Sequence, residues 1–209
     1  APKTIRDLMW VWGTEGTAKP GEHTLATYVQ ADTVQKMALL GVPNITGCGS
    51  GLPKDDKEAW ALTEKWQVAK RLVWEISTDD GFHKPPFSYA KTAARVRALT
   101  TKYPKVEGVL LDDMTSMSVN AGFKGEHILA LRQGLAADGQ DIKVWGVVYT
   151  MNMRQKGKGI EGIINALDVI NMWVWDSRGI PKIESDIEYL EKNYPDKPIV
   201  LGLYLHDYG

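Results

Sequence analysis

Strand-length apolar stretches alternate with helix-length amphipathic stretches along the whole of this 209-residue chain. The apolar runs are Leu8–Trp12, Val42–Thr46, Arg71–Ser77, the run through Val109–Leu111, Lys143–Tyr149, Val169–Trp175 and Ile199–Leu205. Six strand–helix units separate Glu15, after the first run, from Asp207, after the seventh, so the period is about 32 residues. That is the length of a β–α–β unit, and the runs are continuously apolar, as a parallel sheet buried on both faces requires.

The segments between them carry helix signals. Asp32 is placed to cap a helix through Leu40, with Gly41 just beyond its end. A helical segment is expected over Glu58–Val68. Tyr89, Ala93, Val96, Leu99 and Tyr103 mark one face of a further helix, and Ile128, Leu131 and Leu135 another. Ile160, Ile163 and Leu167, then Ile183, Ile187, Leu190 and Tyr194, stripe two more. The pattern predicts an α/β fold, a (β/α)8 TIM-type barrel with seven strands present and the last βα unit absent, residues 1–209 forming one domain. A doubly wound open sheet is the competing architecture. It normally binds phosphate at a Gly-rich first turn, whereas Gly13-Thr14-Glu15-Gly16 carries an acid, and Gly47-Cys48-Gly49-Ser50-Gly51 follows the second strand.

Composition narrows the partners. The formal net charge is −1 and basic residues do not cluster, which argues against nucleic acid or an anionic membrane surface. No apolar run has the length of a bilayer span. Cys48 is the only cysteine, so an internal disulfide framework and a Cys-rich zinc site are excluded. Ala1-Pro2-Lys3 fits the start of a mature periplasmic or secreted chain, or an arbitrary boundary. Eight Trp and eight Tyr against three Phe favour a partly wet site that stacks polar ligands.

The most pointed stretch is Val106–Met114, VEGVLLDDM, an apolar strand ending in Asp112 and Asp113. Strand alternation predicts that the two acids point to opposite faces. In a barrel every C-terminal strand end opens onto one rim, which would collect Glu15, Asp79, Asp80, Asp112, Asp113, Asn152, Asp176, His206 and Asp207. Trp12, Tyr149, Trp173, Trp175 and Tyr204 would lie just inside. Carboxylates accept hydrogen bonds from hydroxyls, and flat rings cover the apolar faces of sugars. Glycoside cleavage needs one protonated and one ionised carboxyl group, and close acids raise one another's pKa.

Val106–Met114 resembles the fourth-strand DxxDxDxE motif of the chitinase-type glycoside hydrolases, which are (β/α)8 barrels. Gly108 matches the motif's glycine and Asp112 its last Asp, while Leu110 stands at an Asp position and Met114 at that of the catalytic Glu. The resemblance implies a glycosidase-like barrel without substrate-assisted chitinase chemistry.

The leading expectation is a carbohydrate-active hydrolase acting on an oligosaccharide or glycoside, without cofactor or metal. Its catalytic carboxylates would come from Asp112, Asp113, Glu15 and Asp176, with Asp207 a further candidate. Trp12, Tyr149, Trp173, Trp175, Tyr204, His206 and Asp207 would bind substrate. Two other functions fit the same rim: a metal-dependent sugar isomerase or epimerase, and a non-catalytic glycan-binding barrel. Bland roles compete residue by residue. Asp after a strand commonly caps the next helix, at least one of Trp173 and Trp175 is expected to fill the barrel, Cys48 to be a structural thiol and His127 a solvated helix residue.

Overall fold

The computed structural model of the chain describes residues 4–13, 31–48, 51–77, 85, 87–115, 122–155 and 159–204. Its strands are β1 (Trp10–Gly13), β2 (Asn44–Gly47), β3 (Arg71–Glu75), β4 (Val106–Leu111), β5 (Lys143–Tyr149), β6 (Val169–Trp173) and β7 (Ile199–Gly202). Helices Ile5–Leu8, Thr33–Leu40, Asp56–Lys65, Ala90–Lys102, Gly125–Leu135, Ile160–Ala166 and Ile183–Asn193 are α1 to α7 in chain order. All seven strands pair in parallel in the order of the sequence.

Ring contacts show how strongly this sheet curls. Neighbouring strands lie about 4.8 Å apart, so in a flat sheet β1 would stand roughly 19 Å from β5 and roughly 24 Å from β6. Yet the Trp10 and Trp145 rings are 4.8 Å apart, and those of Trp12 and Trp173 4.9 Å. Strands four and five places apart therefore face each other across a filled interior, the arrangement of a (β/α) barrel.

Strand alternation sorts the core into two layers. Leu72, Trp74 and Ile76 join Val109, Leu111, Ile128 and Leu131 between sheet and helices. Val73, Leu110, Trp145, Val147, Val169 and Trp173 fill the barrel, with Trp10 and Trp12 packed against them. Gly202 makes room for this filling, since a Cβ there would sit 2.2 Å from the Trp173 ring.

Alternation on β4 is interrupted once. Leu72 pairs with Val106 but Val73 pairs with Gly108, leaving Glu107 as an extra residue. Its carboxylate accepts two hydrogen bonds from the Arg71 guanidinium, at 2.6 and 2.5 Å. Val106 therefore faces the helices, and beyond the bulge Val109 and Leu111 do so, while Leu110 faces inward. Without the bulge the even-numbered residues would face outward, Asp112 among them.

Several boundaries match the sequence signals. Asp32 caps α2 by accepting from the Gln35 N–H at 2.8 Å, and Gly41 ends that helix at φ 64°. The first strand differs from expectation. Thr4 donates from its backbone N–H and hydroxyl to Asp7 Oδ2, at 2.9 and 3.0 Å, starting a helical turn. Ile5–Leu8 is thereby helical, Leu8 and Met9 are exposed, and β1 begins at Trp10. His127 also departs from expectation. Its Nδ1 accepts the Lys124 N–H at 2.8 Å at the start of α5, and its ring lies 4.5 Å from Phe87 and 5.1 Å from Phe123. No described helix is long and apolar enough to cross a membrane.

Candidate active site

At the C-terminal ends of β3, β4 and β5 a hydrogen-bonded chain runs around the inner rim. On β3, alternation places Val73, Glu75 and Ser77 inward. Ser77 Oγ donates to Glu75 Oε1 at 2.7 Å and accepts the Asp112 N–H at 3.0 Å. Asp112 Oδ1 accepts the Asp113 N–H at 2.8 Å, and the Tyr149 hydroxyl donates to Asp113 Oδ1 at 2.8 Å.

Asp113 adopts a left-handed backbone, φ 53°, as no other described non-glycine residue does. Asp tolerates that region better than most residues, but at some cost in strain. The consequence is geometric. Alternation would send Asp113 toward the helices, opposite Asp112, whereas the turned backbone brings it to Tyr149 on the inner rim. The expectation that the two acids face opposite ways is corrected by this one residue.

Burial and like charge set the electrostatics. Asp112 is pushed up to about 7, by burial first and then by Asp113 and Glu75, while the Asp113 N–H pulls the other way. Burial, its hydrogen bond to Asp113 and the neighbouring acids raise the Tyr149 phenol as well. Cys48, after β2, is a buried free thiol pushed well up by burial, then by Glu75 and Asp112. That supports a structural thiol rather than a nucleophile.

Aromatic rings form the adjoining wall. Tyr149 and Trp175 meet edge to face at 5.6 Å, as do Trp175 and Tyr204 at 6.1 Å, while Tyr204 and Trp173 lie tilted at 4.7 Å. Trp175 is 43% exposed at the mouth. Trp173 is 8% exposed, with its indole N–H bonded to Asn171 Oδ1, and fills the barrel with Trp12.

The structure thus brings Asp112, Asp113, Tyr149, Trp175 and Tyr204 together at the mouth, with Trp12 and Trp173 beneath. Asp176 is engaged elsewhere. Its carboxylate accepts the Arg178 N–H at 2.9 Å, capping the 3-10 turn Ser177–Lys182, and pairs with the Arg178 guanidinium. Those bonds hold it down at about 2. Glu15, His206 and Asp207, with Asp79 and Asp80, lie outside the described residues.

Sequence reasoning passed over Glu75, 3% exposed. Its signal was the inward alternation of Val73, Glu75 and Ser77, which sets an acid inside a strand rather than after it. Among the described residues no three His, Cys, Asp or Glu side chains converge as a metal site. At the opposite end of the barrel an open groove of about 410 Å³ is lined by Arg132, Asp168 and Lys197. These three charges are satisfied locally. Asp168 pairs with Arg132 and accepts the Val144 N–H at 2.9 Å, and Lys197 donates to the Asn165 and Leu167 carbonyls.

The architecture is that of known glycoside hydrolases. A chitinase from Chromobacterium violaceum superposes with TM-score 0.53 at 11% identity, covering 93% of this chain and 68% of its own. A glycoside hydrolase family 18 N-acetylglucosaminidase from Paenibacillus barengoltzii gives 0.51 at 13%, covering 92% and 67%. A β-glucuronidase from Bacteroides uniformis gives 0.51 at 12%, covering 78% of this chain and 20% of its own. The chain thus spans about a fifth of that enzyme, and about a quarter of a Bacteroides fragilis protein described as a putative β-galactosidase. At these identities the likeness establishes the fold alone, a (β/α) barrel. No protein-family model and no curated protein sequence matches the chain.

Proposed function

We propose that this chain is a carbohydrate-active hydrolase that cleaves a glycosidic bond at the C-terminal mouth of its barrel, with Asp112 as the proton donor. One observation carries this reading: a half-buried carboxyl group, raised to about 7, beside a second carboxyl and under an aromatic wall. A general acid works best with a pKa near the operating pH. Asp112 gives its proton to the glycosidic oxygen as the bond to the anomeric carbon breaks and its electron pair passes to that oxygen. Water adds at the anomeric carbon, and a second carboxylate takes its proton. With Asp176 engaged by Arg178, that role falls to Asp113, Glu15 or Asp207. Trp175, Tyr204 and Tyr149 cover the sugar's apolar face, and His206 is assigned to substrate binding with them.

The test is turnover of a panel of aryl glycosides and oligosaccharides by wild type and by Asp112→Asn, Asp113→Asn, Glu15→Gln and Asp207→Asn. Loss of a general acid costs roughly a hundredfold or more. Wild-type turnover in both Asp112→Asn and Asp113→Asn would remove β4 from the mechanism.

A further inference from the structure

We propose that Glu75 and Ser77 are a buried positioning pair for Asp112, fixing the end of β4 through one hydroxyl and setting a further carboxyl behind the acid. This rests on Asp112 being the working acid. Ser77 Oγ is the joint: it donates to Glu75 Oε1 at 2.7 Å and accepts the Asp112 N–H at 3.0 Å. Both residues are almost wholly buried, Glu75 at 3% and Ser77 at 2% exposure. A buried carboxyl group is costly unless hydrogen-bonded or used, and a barrel can fill this position with an apolar side chain, as Val73 does one layer below.

Its position gives Glu75 a task. Among the described residues, the titratable groups facing Asp112 are Asp113 on its own strand end, Glu75 from β3, Cys48 after β2 and Tyr149 from β5. None of the four is a cation. A negative charge on Glu75 disfavours the anion of Asp112, and the Ser77 bond fixes where that charge sits relative to the β4 backbone. Glu75 acts through Asp112 and is a positioning residue, not one that touches substrate.

The experiment follows the Asp112 carboxyl by isotope-edited NMR titration, its signal assigned by difference from Asp112→Asn, in wild type, Glu75→Gln, Ser77→Ala and Ser77→Thr. Glu75→Gln and Ser77→Ala are each expected to lower the Asp112 midpoint by roughly one pH unit, and Ser77→Thr, which keeps the hydroxyl, to restore it. An unmoved midpoint in either variant overturns the proposal, as does a shift in Ser77→Ala that Ser77→Thr leaves in place. Near-UV circular dichroism reports folding. Loss of native structure in Glu75→Gln while Asp112→Asn folds overturns it too, since the pair would then be holding the barrel rather than the acid. The carboxyl is observed without substrate, so the result stands apart from whether Asp112→Asn abolishes glycoside cleavage.

Discussion

The Tyr149 hydroxyl reaches across from β5 to Asp113 Oδ1 at 2.8 Å, tying the left-handed residue after β4 to the neighbouring strand. One phenolic proton thus holds the strained turn that keeps Asp113 on the inner rim beside Asp112. Tyr149→Phe retains the ring packing on Trp175 and removes that bond. The expected cost is about 1–2 kcal/mol in urea unfolding, with kcat/KM down roughly tenfold as Asp113 loses its fixed direction.

Asp112 makes stability depend on pH in an unusual direction for an aspartate. Its folded-state pKa lies above the unfolded value of 3.8, so its contribution is fullest below that value and is lost as pH rises through about 7. Asp112→Asn mimics the neutral acid. It should exceed wild type in stability at about pH 8, by on the order of 4 kcal/mol, with the difference vanishing toward about pH 4. Thermal melts across that range read it directly, and wild-type stability rising between pH 4 and 8 relative to Asp112→Asn would contradict it. Turnover by wild type should fall above about pH 7, as the donor proton is lost.

Two tryptophans two residues apart should behave as different kinds of residue. Trp175→Ala removes an exposed ring from the mouth and should raise KM for oligosaccharides about threefold to tenfold, with little change in melting temperature. Trp173→Ala empties the barrel interior and should cost about 3–5 kcal/mol. Ligand titration and chemical denaturation of the two variants separate wall from filling.

Asp176→Asn should leave turnover within about twofold of wild type, because exposed ion pairs contribute little and this carboxylate is occupied by Arg178. A large loss of kcat in this variant would return Asp176 to the mechanism.

The barrel was legible because its cause is written along the chain: continuous apolar runs at a regular period, Asp32 and Gly41 at the ends of a helix, and stripes such as Ile128, Leu131 and Leu135. The acid pair was legible as a cluster but not as a geometry. Nothing in VEGVLLDDM reports that Glu107 is the residue left over in pairing, or that Asp113 turns left-handed. Both are set by neighbouring strands, through the pairing of Val73 with Gly108 and the reach of Tyr149. Glu75 escaped notice because attention to strand ends favours Asp79 and Asp80, whereas this acid lies inside the strand. The start of β1 was misplaced because the Thr4–Asp7 cap outweighs the apolar character of Leu8 and Met9.

The leftover Glu107 works as a phase shifter for everything downstream on its strand. Were Glu107 instead paired with Val73, VEGVLLDDM would still read as an apolar strand with two acids, yet Asp112 would swing into the dry space against the helices and Leu111 would turn to the mouth. Chemistry on this rim is therefore hostage to one offset in pairing far below it, and a change that straightens the strand's beginning would do more harm than most replacements at its tip.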